Sequence, residues 1–387
     1  MIDKVFNFFE NEKIMKYIMF FIYFVINTLF LVKYGIRQDK VPVFILIVLF
    51  CVFHFLIFSG YDFFIKRIKI SRKILYGFIL FSGLFYLVLS HLIKDPYQLK
   101  IDRWQTIEYS LDYWLNGKYI YDTKNFMGNI PSYLPGQLLF LVIFRFLGNV
   151  GYIQVASLLL FSFAIVKEFK NNNIRLWGIL LLGTSLSFIY EAVCKSDFIS
   201  SFIITSVFII FWHKKFEKNY FEMPVLLGII LGVICLTRSV VIIPLVLFLF
   251  KPFFSASLGS KIKFSLAFLI IAGTLLMSVL LPAKDFDYIL KHNPLQMQGQ
   301  SNTIVVLFFL ILTAFFSLFV KNIKQIFYLS TIIIFCLMSA HLIEQAIRGS
   351  SYNFFNITYL AAALPFCIVS YCFLLDKDGK TKLYTQK

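Results

Sequence analysis

Residues 326–343 read IFYLSTIIIFCLMSAHLI, a run of 18 residues without a charged side chain. An α-helix needs about 20 predominantly apolar residues, with about 17–25 usual, to cross the hydrocarbon core of a bilayer. The chain carries further charge-poor runs of this kind at about 14–33, 41–60, 74–93, 150–166, 176–190, 196–212, 264–281, 302–320 and 353–375. The sequence therefore predicts an all-α, polytopic integral membrane protein that forms a single membrane domain over residues 1–387.

Two apolar stretches differ from a simple span. The run 224–250 is interrupted near Thr237-Arg238, and we interpret it as two short helices that meet at this break. Residues 135–147 are too few to cross a bilayer and predict a re-entrant or interfacial segment. Counting the two short helices, we expect about 10–13 transmembrane helices.

The composition excludes several classes of protein. Of the 387 residues, 59% are hydrophobic and 15% are charged, whereas a soluble globular chain has roughly 45–50% apolar and about 25% charged residues. This composition is incompatible with a soluble enzyme, a disordered tail, a fibrous repeat or a disulfide scaffold. The 6 cysteines lie in or beside the apolar runs without paired metal-ligand spacing, and the 5 histidines are scattered. We therefore predict no metal site, although an assisting divalent ion stays open, and no cofactor, since the chain has no Gly-rich phosphate loop.

The formal net charge of +17 is explained by membrane topology rather than by binding of nucleic acid. Cytoplasmic loops carry an excess of Lys and Arg, and placing the N-terminus in the cytoplasm collects most of the basic residues in short cytoplasmic segments. These segments are 4–16, 66–73, 167–175, 214–218, 251–263, 321–324 and the tail from Asp376. We expect both termini in the cytoplasm, a location in a bacterial inner membrane, no nucleic-acid partner and no cleavable signal peptide.

One long segment, 94–134, lies on the predicted outer side, where long ordered loops are often functional. Within it, residues 103–116 have the spacing of an amphipathic helix that lies in the membrane interface, with Arg103 on its polar face. The apolar stripe of this helix consists of Trp104, Ile107, Leu111 and Trp114. Asp102 is placed to cap the N-terminus of the helix and Gly117 to end it. A second outer loop, 282–301, is polar and is interpreted as a lid or as a rest for an acceptor.

Charged residues at the predicted outer ends of the spans are the candidates for chemistry. Asp102 is a candidate general base for a hydroxyl group, with a plain helix cap as the alternative. Arg238 is a charge within an apolar run, where charges are costly and usually functional, so we predict contact with a phosphate; snorkelling to the interface is the alternative. Arg348, followed by Tyr352, lies between two late spans and is predicted to contact the same phosphate or a sugar.

Other charged residues share this outer side. Lys195 and Asp197 lie close to Glu191 in the chain, and both a mutual ion pair and contact with substrate are open for them. Asp95 is either a second acid or a turn residue. The rivals of Asp102 for the role of base are Asp95, Glu108 and Asp112.

The order of these pieces resembles the GT-C superfamily of polytopic membrane glycosyltransferases, and the resemblance is to mannosyltransferase-like members. The matching pieces are Asp102, then 115–122 (LNGKYIYD), then 133–136 (YLPG, opened by Tyr133), then Lys195-Ser196-Asp197, then 228–244 (GIILGVICLTRSVVIIP) with a basic residue in its middle. The resemblance covers about 90–250, with a weaker similarity at 348–365. This chain departs from the family in placing two additional predicted spans before Asp102.

The resemblance implies a specific function. GT-C enzymes have many spans and transfer a sugar from a polyprenyl-phosphate carrier to an acceptor hydroxyl of a glycan or lipid at the outer face of the membrane, with inversion of configuration. The resemblance assigns the role of general base to Asp102. The predicted substrate-binding residues are Asp95, Tyr133, Lys195, Asp197, Arg238, Arg348 and Tyr352.

Two other functions are open alternatives. A transporter or flippase for a lipid-linked glycan would show inverted repeats and ionisable residues near the middle of the membrane. The sequence shows no repeat, and its charges collect on one side. A polysaccharide polymerase of the O-antigen type also has many spans and outer arginines. Its large loop usually comes late in the chain, whereas the long loop here comes early.

Overall fold

The structure of the chain is a computed structural model that describes residues 9–36, 41–63, 67–95, 97, 101–297, 301–349 and 355–376. These residues fold almost entirely into α-helices, and no β-strand occurs among them. The helices of the first half are α1 Glu12–Gly35, α2 Val43–Phe63, α3 Arg72–Leu89, α4 Arg103–Leu115, α5 Pro135–Phe146, α6 Tyr152–Glu168, α7 Asn172–Gly183 and α8 Leu186–Val193. The predicted all-α fold class is confirmed over the described ranges.

The second half contains eight further α-helices, including the longest of the described residues, Ile323–Ile347. They are α9 Phe198–Phe216, α10 Pro224–Ile234, α11 Ile242–Ser255, α12 Leu258–Leu280, α13 Phe286–Lys291, α14 Thr303–Ser317, α15 Ile323–Ile347 and α16 Leu364–Leu375. A 3₁₀ turn, Ser239–Val241, leads into α11, and another, Ile357–Ala363, leads into α16. The break at Thr237-Arg238 therefore falls between two short helices, as the sequence predicts.

Six helical segments in the described part of the chain are long and apolar enough to cross a membrane, which indicates a multi-pass membrane protein. They are Glu12–Gly35, Arg72–Leu89, Phe198–Phe216, Leu258–Leu280, Ile323–Ile347 and Ile357–Leu375. A seventh is formed if α7 and α8, bent by 56°, count as one span. The expected number of crossings is 10–13, and within the described residues a run predicted as a span, 302–320, folds as the shorter helix α14.

The helices differ strongly in how much of their surface the protein covers. In the most apolar window of Ile357–Leu375, 94% of the residues are buried, against 11% in that of Leu258–Leu280. Helix α16 is the centre of the bundle and packs against α1, α7, α9 and α15. Helix α12 lies at the periphery with exposed apolar residues, as expected of a helix that faces lipid.

Helices α10 and α12 pack closely along a stripe of small residues. A Cβ atom added at Gly228 would lie 2.5 Å from Phe264 O, and one added at Gly232 would lie 3.1 Å from the side chain of Ile271. Glycines four residues apart allow two membrane helices to approach backbone to backbone. This contact fixes α10 and therefore the break that follows it.

Contacts between loops divide the bundle into two ends. At one, which we call the site end, Asn149 Nδ2 donates to Ser90 O at 3.2 Å. At the other, which we call the basic end, Asn172 Nδ2 donates to Ile70 O at 3.0 Å. The basic end gathers the basic segments 67–73, 167–175 and 214–218. These segments are predicted to share one side of the membrane, and that this side is the cytoplasm stays a prediction.

The helix predicted in the long loop is present as α4, and its apolar stripe faces protein. Ile107 and Leu111 are fully buried in a second core cluster that includes residues of α5 and α12, and the two tryptophans pack against it. Trp114 Nε1 donates to Ser278 Oγ of α12 at 3.0 Å. Gly117 ends the helix region in the left-handed conformation, with φ 62°. Helix α4 is thus docked on the bundle at the site end.

Candidate functional site

The site begins where α5 lies in close contact with the break after α10. A Cβ atom at Gly136 would lie 2.3 Å from Val233 O and 2.8 Å from Leu236 O, so only glycine fits there. Gln137 N also donates to Leu236 O at 3.3 Å. Pro135 suits the first turn of α5, where its missing N–H is not needed. This packing brings Tyr133, just before the helix, against Arg238, just after the break.

Arg238 and Asp197 form a buried ion pair at this point. Arg238 Nη2 lies 3.3 Å from Asp197 Oδ1 and 3.1 Å from Oδ2, and the two side chains are 4% and 0% exposed. The guanidinium carbon lies 5.2 Å from the ring centre of Tyr133 and 5.3 Å from that of Phe198. Arg238 Nε is buried and has no hydrogen-bond partner among the described residues. The structure thus brings three predicted residues together and leaves the arginine with an unused donor.

A polar network within the helices holds Asp197 in place. Gln137 Nε2 donates to Asp197 O at 3.3 Å and to Ser200 Oγ at 3.2 Å, while Gln137 Oε1 accepts from Ser201 Oγ at 2.8 Å. Gln137 is completely buried. The sequence analysis did not single out this residue, although a glutamine inside an apolar run is a signal that could have found it.

Glu191 holds the loop that carries Lys195 and Asp197, and it does so through neutral donors. Its carboxylate accepts from Ser196 Oγ at 2.8 Å, from Ile199 N at 3.0 Å and from Gln154 Nε2 at 3.2 Å. Among the described residues, Lys195 forms no ion pair with Glu191 or Asp197, and Asp197 pairs with Arg238 from the break after α10 instead. Gln154 is a second buried glutamine that the sequence analysis missed.

Lys195 joins this loop to α4. It has φ 50°, a left-handed conformation that is rare and strained for a residue other than glycine. Its ammonium nitrogen lies 3.3 Å from the centre of the Trp104 ring, and it has no carboxylate partner among the described residues. Burial lowers the pKa of Lys195 to about 8. Lys195 is therefore a cation at the site end whose charge no carboxylate of the described residues neutralises.

Asp102 immediately precedes α4, but its side chain does not cap the helix. Oδ2 accepts from Asn125 Nδ2 at 2.8 Å and from Asn129 Nδ2 at 2.7 Å. Asn125 is itself fixed, since it donates to Thr106 Oγ1 at 2.9 Å. The loop therefore orients the Asp102 carboxylate, and Oδ1 accepts no hydrogen bond within the described part of the chain. The helix-cap alternative is not what the structure shows.

Arg103 is half-buried and lies close enough to the bundle for its charge to interact with groups of the site. Burial opposes its charge, but the neighbouring Tyr133, Tyr359, Tyr190 and Glu191 outweigh this effect, so the pKa of Arg103 is raised. The sequence analysis placed Arg103 on the polar face of the helix. The packing of α4 against the bundle turns this side chain inward, which the helical periodicity alone could not predict.

Tyr133 lies at the centre of these charges. Burial and Asp197 raise the pKa of the Tyr133 phenol well above its usual value, while Arg103 and Arg238 oppose that rise and Asp102 adds to it. The pKa of the phenol is thus influenced by two carboxylates and two guanidinium groups from three separate segments of the chain. The predicted residues Asp102, Tyr133, Asp197 and Arg238 therefore belong to one site.

Other predicted residues lie outside this cluster. Arg348 is exposed at the end of α15 and makes no described contact with the cluster. Asp95 is exposed, and its Oδ1 accepts from Tyr97 N at 2.9 Å, as a turn residue does. Tyr352 lies outside the described residues.

The two remaining rivals of Asp102 are engaged elsewhere. Glu108 and Asp112 both form ion pairs with Arg145 of α5, on the other side of α4. Glu108 also accepts a hydrogen bond from Trp104 Nε1 at 3.1 Å. Their role is to fasten α4 to α5, which leaves Asp102 as the carboxylate of the long loop with an unused oxygen beside the cluster.

The second outer loop covers part of the long loop. The hydroxyl of Tyr288 in α13 donates to the Asp122 carboxylate, and Tyr119 OH donates to His292 O at 3.1 Å. The two predicted outer loops are therefore joined, which is compatible with a lid or an acceptor rest.

An apolar groove begins at the residue after Arg238. Its volume is about 230 Å³, and it runs between the start of α11, α14 and α15. Ser239, Val240, Val306, Leu310 and Leu337 are among its lining residues. The groove thus begins one residue after the buried arginine and is lined mainly by apolar side chains.

The cluster contains cations, carboxylates and phenols. In the described ranges, no group of three or more His, Cys, Asp or Glu side chains is close enough to hold a metal ion. A comparison of the chain with protein-family models, with curated proteins and with solved structures finds no match in any of the three.

Proposed function

We propose that this protein is an inverting glycosyltransferase of the GT-C type, which moves a sugar from a polyprenyl-phosphate carrier to the hydroxyl group of a glycan or lipid acceptor. The observation that carries the proposal is the cluster around Tyr133. There a carboxylate with an unused oxygen, Asp102, and two arginines, Arg103 and Arg238, act on the same phenol, and an apolar groove begins at the residue after Arg238. An acid–base group, an anion-binding group and a lipid channel are what this reaction requires.

The chemistry follows from the charges. The acceptor hydroxyl gives its proton to Asp102 Oδ1, and its oxygen uses the freed electron pair to form a bond to the anomeric carbon. The bond between the anomeric carbon and the phosphate oxygen breaks, and its electron pair leaves with the phosphate. Arg238 Nε and the Lys195 ammonium are placed to stabilise the charge that develops on that phosphate.

The apolar groove supports a lipid donor. A polyprenyl chain gains free energy by leaving water for an apolar surface, and the groove offers such a surface beside Arg238. The phosphate of a chain lying there would meet the guanidinium group. The sequence contains no nucleotide-binding pattern and no Gly-rich phosphate loop, which fits a lipid donor.

The transporter alternative predicts the same contact with phosphate but gives no role to an oriented base. The two asparagines that hold Oδ2 of Asp102 and leave Oδ1 available favour transfer over transport. The polymerase alternative differs in the acceptor, which would be a growing polysaccharide.

The test replaces Asp102 by asparagine in a strain that lacks the chromosomal copy. We expect normal membrane levels of Asp102→Asn and a loss of the glycan or glycolipid product by about 10²–10⁴-fold, because general base catalysis contributes about that factor. Asp287→Asn, an exposed carboxylate of α13, is the matched control and should restore product. Full restoration by Asp102→Asn would overturn the transferase proposal and return attention to transport.

A further inference from the structure

A second cavity, of about 500 Å³, lies at the basic end of the bundle between α3, α6 and α7. Three cations line it, Arg72 from the first turn of α3, Lys167 from the last turn of α6 and Arg175 from α7. No acidic side chain is among its lining residues. The cavity shares no residue with the Asp102 site.

Arg175 is held in place by its own loop. Its Nε donates to Phe169 O at 2.6 Å and its Nη1 to Asn172 Oδ1 at 2.7 Å. Nη2 makes no hydrogen bond with the described residues. One edge of the guanidinium group is thus fixed, and one donor stays available for a ligand.

No carboxylate of the described residues balances the charge of the cavity. Burial lowers the pKa of Arg175, Tyr76 opposes this change and the positive charge of Arg72 adds to it. Glu168 follows Lys167 in the chain, but its carboxylate faces Lys214, at 3.9 Å, and does not line the cavity. Like charges gathered without a counter-charge are costly, and an anion bound between them would remove that cost.

The other wall of the cavity is apolar and opens onto the surface. Ile79, Leu159 and Phe163 form part of it, and the last two are 42% and 50% exposed. The neighbouring face of α3 is also apolar, with Leu80 64% exposed. Such an apolar wall makes no favourable contact with a small soluble anion, whereas a hydrocarbon chain can pack against it.

We propose that this cavity binds an anionic phospholipid, with its phosphate between Arg72, Lys167 and Arg175 and its acyl chains along Leu159 and Phe163. Basic pockets between membrane helices on the cytoplasmic side are suited to phospholipid head groups. The bidentate geometry of arginine suits phosphate oxygens. This site is independent of the proposed transferase activity.

Native mass spectrometry of the full chain, purified in detergent, tests the proposal. The protein is titrated with phosphatidylglycerol, with phosphatidylcholine and with phosphatidylglycerol in the presence of inorganic phosphate. The test variant is Arg72→Gln/Lys167→Gln, which changes two exposed residues and so spares the fold. The matched control is Lys69→Gln/Lys73→Gln, which removes the same charge from exposed positions outside the cavity.

We expect the wild type and the control to bind phosphatidylglycerol about 10²-fold more tightly than phosphatidylcholine, since each of the three basic residues contributes a factor of about five near a membrane surface. The test variant should lose this preference. Equal losses in the two variants would show diffuse surface charge and overturn the proposal. Displacement of phosphatidylglycerol by an equal concentration of inorganic phosphate would overturn it in favour of a soluble anion.

Discussion

Lys195 combines a strained backbone, a buried side chain and a positive charge. The left-handed backbone and the Trp104 ring hold its ammonium group at the site end, and burial lowers its pKa to about 8. Strained residues of this kind persist where the surroundings determine the backbone, and they concentrate at functional sites. A lysine whose charge changes near neutral pH makes the binding of an anion depend on pH.

The pH dependence of donor binding follows from that pKa. Below about pH 8 Lys195 is protonated and attracts phosphate, and above it the charge is lost, so the affinity for the donor should fall as the pH rises from 7 to 9. Lys195→Arg keeps the charge throughout and should remove this decline. The measurement is the KM for a polyprenyl-phosphate sugar across that range, with the exposed Lys118→Arg as control. An identical profile for wild type and Lys195→Arg would exclude a role of Lys195 in binding.

Substitutions in the buried ion pair of Asp197 and Arg238 can distinguish an effect on stability from an effect on transfer activity. Removing one partner of such a pair costs about 3–5 kcal/mol, because the other charge stays buried without compensation, whereas replacing both by apolar residues is often neutral. We expect Asp197→Asn and Arg238→Gln to lower the melting temperature in detergent. The double variant Asp197→Leu/Arg238→Met should regain it without regaining transfer activity. Transfer by the double variant would show that the pair is only structural.

At the scale of the element, the site depends on how two short helices meet. Helix α10 is held by α12 through Gly228 and Gly232, and α5 approaches the break after α10 through Gly136. Neither α5 nor α10 is long enough to span a membrane alone, so their positions are set by contacts with neighbours such as α12. Small residues at these contacts therefore control where Arg238 and Tyr133 lie.

Gly136→Ala tests this dependence. The added methyl would meet the backbone of 233–236 at less than 3 Å, and overpacking of this kind costs about 1–3 kcal/mol. We expect a lower melting temperature and at least a tenfold loss of transfer activity, because α5 must move away from the break. Gly273→Ala in α12 has open space around it and should leave both unchanged or raise stability slightly. Equal behaviour of the two variants would contradict the close approach at Gly136.

The periodicity of the sequence was sufficient to predict several elements. The interrupted run at Thr237-Arg238, the short segment 135–147 and the helix 103–116 are present at nearly the predicted positions. Each of these elements depends on local patterns of apolar residues, caps and breaks, which can be read directly from the sequence. The burial of the α4 stripe against α5 and α12 depends on contacts between distant segments and was not predictable in this way.

At the scale of the whole molecule, the sequence predicted the all-α fold and one long loop, and its expected 10–13 crossings compare with six or seven segments of sufficient length among the described residues. The two numbers differ because an apolar run can fold into a helix too short to cross a bilayer, as α14 does. The pairing of Asp197 with Arg238 and the surroundings of Arg103 depend on packing between segments 30 or more residues apart, which local patterns do not contain. Arg348 is the opposite case, because its side chain is exposed although its sequence context resembles that of Arg238.

The central position of α16 leads to a prediction about assembly. Deleting residues 357–387 removes the helix that α1, α7, α9 and α15 enclose, and we expect this variant to be degraded. Deleting residues 377–387 leaves the helix intact and should not change the level of the protein. Immunoblotting of membranes with an N-terminal tag measures both, and normal accumulation of the longer deletion would contradict a structural role of α16.

The burial of α16 also has a consequence for the timing of synthesis. A ribosome makes the chain from its N-terminus, so the helices that form the wall of the bundle enter the membrane before the helix that fills its middle. Until α16 emerges, the surrounding helices enclose a space that lipid tails or an insertion factor must occupy and then leave. The interior of the bundle is therefore filled after the helices that surround it have been made.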